Sequence, residues 1–103
     1  MSATAHIRLD LPVMLQTLAK FHGELVFELP APASMAAVLD ALELRYPSLR
    51  GTVRDLNTRQ RRAYLRFFAC MEDISHRALE EPLPPAVQQG REPVLVIGAV
   101  AGG

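Results

Sequence analysis

Hydrophobic and polar residues alternate near the start of the chain. In HIRLDL, residues 6 to 11, Ile7, Leu9 and Leu11 fall on one side and His6, Arg8 and Asp10 on the other. A period of two predicts a half-buried strand. Pro12 interrupts it, VMLQTLAKFHGE reads as a short helix that stops at Gly23, and LVFELP resumes the alternation with Leu25, Phe27 and Leu29 set against Val26 and Glu28. The two strands are expected to form a hairpin with a long connection.

Pro30, Pro32 and Ser34 then break the pattern, and the period changes to that of a helix. Met35, Val38, Leu39, Leu42 and Tyr46 share one stripe, while Asp40, Glu43 and Arg45 are expected to point away from it. Ser34 is placed to cap the N-terminus, and Pro47 ends the helix because the residue before a proline is pushed out of helical geometry. Residues 50–63 are polar and Arg-rich and read as loop, with room for one turn of helix.

YLRFFACME reads as a strand in either of two registers, with Leu65, Phe68 and Cys70 inward or with Tyr64, Phe67 and Ala69 inward. A short strand is expected around Ile74, then a turn-rich stretch, PLPPAVQQGREP. VLVIGAV closes the pattern, and its lack of alternation predicts a strand buried on both faces at the centre of a sheet. One helix on a mixed sheet of four or five strands is an α+β fold, in the element order of the β-grasp, or ubiquitin-like, architecture.

Composition narrows the classes. At 103 residues and 11.4 kDa the chain reads as one domain, residues 1–103, able to fold without metal or disulfide staples, with a flexible tail at 99–103. Lys+Arg and Asp+Glu both number 11, which argues against affinity for nucleic acid built on phosphate neutralisation. The single Cys70 forms no internal disulfide and fits a reducing compartment. Too few residues precede His6 for a signal peptide, and no apolar run is long enough to cross a bilayer, so the expected location is cytoplasmic, away from membranes.

The chain's last residues hold the candidate chemistry. VAGG, residues 100–103, follows a strand introduced by GREPV, and MEDI occupies 71–74. In these residues, and in the order of its hairpin, helix and strands, the sequence resembles the ubiquitin-like sulfur-carrier family, which includes the small subunit of molybdopterin synthase and the thiamine-pathway sulfur carrier. Gly98 stands where the family usually has proline, and Arg91 and Pro93 depart from its acidic turn.

The resemblance implies a carrier, not an enzyme, with no permanently bound cofactor. Gly103, with Gly102 before it, would be the adenylation and thiocarboxylate site, and Ala101 and Val100 would follow it into a narrow channel. An ionised C-terminal carboxylate is a poor electrophile. An ATP-dependent adenylating enzyme supplies a leaving group, and sulfur from sulfide or a persulfide then replaces it. The implied acceptor is a molybdopterin synthase large subunit, a cysteine synthase or another enzyme of sulfur metabolism, such as thiamine synthesis. Glycine, lacking Cβ, suits such an arm. The alternatives are a ubiquitin-like modifier conjugated through Gly103, and a binding module that leaves the tail unused.

Elsewhere the residue pattern favours structure over chemistry. His6, His22 and His76 lack metal-ligand spacing with each other or with Cys70, so no metal site is expected. Cys70 is expected to be a buried strand residue, the Phe67-Phe68 pair core, and the carboxylates Glu72, Asp73, Glu80 and Glu81 solvated, leaving no catalytic site. Arg59, Arg61, Arg62 and Arg66 concentrate positive charge as either a solvated face or a docking patch for an acidic partner.

Overall fold

The computed structural model describes residues 3–98. The expected tail at 99–103 lies outside the described residues.

Strand β1 (Thr4–Asp10) is followed by the short helix α1 (Val13–Ala19) and by β2 (Leu25–Pro30), which returns antiparallel to β1 with Ile7 opposite Phe27. Gln16 holds their long connection together from inside: its amide donates to the Leu11 carbonyl at 2.7 Å and accepts from the Gly23 N–H at 2.9 Å. The main helix, α2 (Met35–Arg45), starts where Ser34 Oγ accepts the Ala37 N–H at 3.1 Å. Tyr46, at its C-terminus, stacks on Phe21 with ring centroids 4.9 Å apart.

After a turn of 3-10 helix (Pro47–Leu49) and a long loop come β3 (Leu65–Ala69), the two-residue β4 (Glu72–Asp73), one turn of helix α3 (Pro85–Gln88) and β5 (Val94–Gly98). The five strands lie in the order β2-β1-β5-β3-β4. First and last strands run parallel at the middle, Asp10 opposite Leu95, while β5 pairs antiparallel with β3 from Leu65–Gly98 to Ala69–Val94. One core joins the inner sheet face to α2: Ile7, Leu9, Phe27, Phe67, Val94 and Val96 are buried with Val38, Leu39 and Leu42. Burying such side chains is worth about 1.5–3 kcal/mol each.

Four local expectations are corrected. Leu65, Phe67 and Ala69 are the buried set of β3, which is neither expected register, because the strand alternates from Leu65 and sends Phe68 to the opposite face. β5 is central, as expected, but buried on one face only: Val94 and Val96 point inward, Leu95 is half-buried and Ile97 is 44% exposed. Nothing in the described chain covers the outer face there, so apolar residues face solvent. Cys70 lies in the turn after β3, half-buried, not in the strand. Glu43 belongs to the buried side of α2, because Arg54 of the following loop folds back onto it.

That loop is ordered by its charges. Arg54 and Arg61 face each other in an isolated bridge, and the Arg62 N–H donates to the Val53 carbonyl at 2.9 Å. At the tip, Asp55 Oδ1 accepts the N–H groups of Asn57 and Thr58, each at 2.8 Å, forming an Asx turn.

Candidate functional site

Because strand side chains alternate between faces, the inward Val94 and Val96 force Leu95 and Ile97 outward. Register sets Phe68 opposite Leu95 and Arg66 opposite Ile97, so an apolar strip crosses β5 and β3 on the sheet's outer face. Along the strip, Phe68, Met71, Pro93, Leu95 and Ile97 line a largely apolar depression with Glu92 among its lining residues. Ile97 is adjacent in sequence to Gly98, the last described residue.

The turn joining β3 to β4 is strained. Cys70 and Met71 have φ of 53° and 65°, the two positive values that a two-residue type I′ hairpin requires and that Asn-Gly adopts most readily. Met71 is 98% exposed at the tip. A long apolar side chain on a left-handed backbone, with nothing covering it, is an unusual use of the position.

The four arginines of the expected docking patch are committed to separate partners. Arg59 reaches Asp40 Oδ1 at 2.9 Å and Glu43 Oε1 at 3.7 Å. Arg61 donates to the carbonyls of Leu65, Arg62 and Ser75, and Arg62 to the Gly51 carbonyl with Asp55 Oδ2 at 3.3 Å. These three fasten the loop. Arg66 differs: half-exposed on the outer sheet face and 3.6 Å from Asp73 Oδ2, it borders the apolar strip. Gly103, Gly102, Ala101 and Val100 lie outside the described residues.

The strongest electrostatic feature was not anticipated. Arg54 Nε donates to Glu43 Oε2 at 2.8 Å and Nη2 to Glu43 Oε1 at 3.1 Å, with Asp40 accepting a further bond from Nη2. Arg54 and Glu43 side chains are only 3% and 9% exposed. Burial opposes the Arg54 charge, yet its bonds to Glu43 and Asp40 outweigh that and raise its pKa above the ordinary value. Asp73 is held below the usual carboxylate range by the Ser75 hydroxyl and N–H, assisted by Arg66. Asp55 is lowered likewise by the Thr58 and Asn57 amides. These groups maintain charge within the fold and are not arranged around a shared reactive point. Among the described residues no group of three or more His, Cys, Asp or Glu stands at metal-binding distance, and no helix is long and apolar enough to cross a membrane.

A five-stranded mixed sheet with parallel outer-sequence strands at its centre and one main helix across its inner face defines the β-grasp, ubiquitin-like fold. Solved structures agree with that class. Small archaeal modifier protein 1 of Haloferax volcanii superposes with a TM-score of 0.71 at 18% identity, over 95% of this chain and 99% of that one. A chain of the Amycolatopsis orientalis BexX/CysO complex gives 0.69 at 16% identity, over 94% and 99%. Small archaeal modifier protein 1 of Methanosarcina acetivorans gives 0.69 at 18% identity, over 98% and 99%. No family model matches the sequence, and no curated protein matches it. At these identities the likeness is one of fold.

Proposed function

We propose that the chain is a ubiquitin-like sulfur carrier that works as a co-substrate and not as an enzyme. The observation that carries this reading is the position of β5: the central strand of the sheet is followed in sequence by Ala99-Val100-Ala101-Gly102-Gly103. An adenylating enzyme couples ATP to the Gly103 carboxylate, releasing pyrophosphate, and sulfide displaces AMP from the acyl-adenylate to leave a thiocarboxylate. The sulfur then passes to an acceptor enzyme of cofactor or cysteine synthesis, such as a molybdopterin synthase large subunit, of which this chain would be the small partner, or a cysteine synthase. The CysO complex among the structural neighbours supports an assembly between such a fold and a second protein.

Both partners would grip the strip formed by Phe68, Leu95 and Ile97, with Arg66 at its border. Five extended residues reach at most about 18 Å past Gly98, so the enzyme that acts on Gly103 has to cover this end of the sheet. Ile97→Glu is expected to leave the melting temperature unchanged and to abolish adenylation at concentrations where the wild type is saturated. Unimpaired adenylation of that variant would place the contact elsewhere.

A second reading, favoured by the likeness to small archaeal modifier protein 1, joins Gly103 to lysines of other proteins. Intact mass of protein isolated from its own host separates the two. Exchange of one oxygen for sulfur, lost on deletion of Gly103, supports the carrier. Higher-mass conjugates lost on that deletion support the modifier, and an unchanged mass without conjugates removes both.

A further inference from the structure

The apolar strip on the outer face of β5 and β3 carries opposite charge at its two ends. Phe68 and Leu95 lie opposite each other at the middle. At one end Arg66 stands opposite the exposed Ile97 and keeps only a loose contact, 3.6 Å, with Asp73 Oδ2. At the other end Ala69 pairs with Val94, so the Cys70-Met71 turn lies beside the chain that enters β5. Glu92, exposed on that entering chain, lines the depression with Met71 and Leu95. Arg8 acts on Glu92 through space only, because its guanidinium is bonded to Glu24 and to the carbonyls of Gly90 and Arg91. Among the described residues Glu92 belongs to no ion pair. Positive charge thus marks the Ile97 end and negative charge the Met71 end.

Such a strip is complementary to itself when reversed. A two-fold axis between two facing sheets, crossing the strands near Leu95, lays one copy's strip antiparallel on the other's. Phe68 and Leu95 then meet their own counterparts, and the ends exchange: each Arg66 faces the second copy's Glu92, and each Met71 covers the second copy's Ile97. With the strips parallel, Arg66 would meet Arg66 and Glu92 would meet Glu92. The antiparallel setting also gives Met71 a use that the single chain lacks, since this long apolar side chain is 98% exposed on a left-handed backbone. Beside the strip, the Arg8–Glu24 and His6–Glu28 pairs supply the polar rim that an apolar contact needs.

We infer that the chain pairs with a second copy of itself through the outer face of β5 and β3, the strips running antiparallel about a two-fold axis. The dimer uses described residues and not the tail, so it stands apart from the carrier reading; where that reading holds, dimer and activating enzyme compete for one face. The strip offers far fewer than the roughly 20–30 residues a side of a standard interface, so association is weak, with a Kd on the order of 0.1–1 mM. Its end contacts are exposed ion pairs, and salt weakens it.

Sedimentation equilibrium of the full chain from about 10 μM to about 2 mM spans that range. The average mass should rise from 11.4 kDa toward twice that value. Arg66→Glu sets like charges against Glu92 at both ends, Glu92→Arg sets them against Arg66, and each should weaken association at least about fivefold. An equimolar mixture of the two variants should associate as the wild type does, because a mixed dimer has opposite charges at both ends. Melting temperatures check that each variant is folded, and NMR of the wild type alone should show concentration-dependent shifts at Phe68, Met71, Leu95 and Ile97. A mass of 11.4 kDa throughout overturns the inference and leaves the face to a different protein. Single variants that associate like the wild type, a mixture no better than either alone, a mass beyond twice the monomer, or shifts on another face overturn it equally.

Discussion

Removing Arg54 tests whether the buried ion pair holds the long loop onto α2. In Arg54→Ala, Glu43 loses a two-pronged partner at 2.8 and 3.1 Å and Asp40 loses one bond, while the space filled by a side chain only 3% exposed is left open. Leaving one member of a buried pair uncompensated costs about 3–5 kcal/mol. That is a large part of the roughly 5–15 kcal/mol that stabilises a domain. At about 4–8 °C per kcal/mol, the lower figure already predicts a fall in melting temperature of at least about 12 °C. Asp40 is 62% exposed, so Asp40→Asn should cost under about 1 kcal/mol. Joint replacement, Glu43→Leu with Arg54→Met, should recover most of the loss, since an apolar pair of similar volume is often as stable as a buried ionic one. Calorimetry on the wild type and the three variants measures each loss and the recovery. An Arg54→Ala melting point within about 3 °C of wild type would show that water, not the partner, satisfies these charges.

Three further outcomes follow from the same geometry. Asp55 and Asp73 have depressed pKa values in the folded chain, so the unfolded state binds more protons below the ordinary 3.8. Their contribution is complete above that pH and lost as pH falls through the folded values; urea titrations between pH 5 and 2 should show an acid limb that is shallower in Asp55→Asn and Asp73→Asn. Replacing Cys70-Met71 by Asn-Gly relieves two left-handed residues and should stabilise by about 1 kcal/mol or more, while weakening any partner that uses the exposed Met71. Gly98→Ala meets no atom within 4 Å and should stabilise β5 by about 0.5–1 kcal/mol; a loss on denaturation would mean that the glycine serves packing.

Period and punctuation made most of the fold legible. Ile7, Leu9, Phe27 and the α2 stripe are buried as their spacing required, Ser34 caps and Pro47 stops. What escaped were decisions made by residues far apart. Glu43 looks like an exposed helix carboxylate until Arg54, 11 residues later, folds back onto it. The register of β3 hung on two adjacent phenylalanines. Alternation demands that one face outward, and that signal, left unused, would have pointed to the strip beside Leu95 and Ile97. Neighbours in sequence, the clustered arginines do not form one surface in the fold. Arg59, Arg61 and Arg62 fasten the loop, each through different partners, and of the four Arg66 alone lies on the outer face of the sheet.

The contrast between a hydrophobic strand and the glycines after it has a mechanical meaning in this topology. On the carrier reading proposed above, a tail drawn into an enzyme's channel would pull on the strand that precedes it. An edge strand would peel away one hydrogen bond at a time, but β5 is bonded on both sides, to β3 over five residue pairs and to β1 over two. Its inward side chains Val94 and Val96 are fixed in the core as well. Val96–Gly98 are paired with β3 alone, whereas Val94 and Leu95 are bonded on both sides, so a pull from the end of the strand meets the doubly bonded part, with Val94 in the core, before the strand can leave the sheet. Fixing the root of an arm limits the conformations lost when its end is captured, which favours capture through lower entropy cost. On the carrier reading proposed above, burial of β5 on one face and exposure on the other would have separate uses: the inner face would anchor the strand before the tail, and the outer face would receive the enzyme that acts on Gly103.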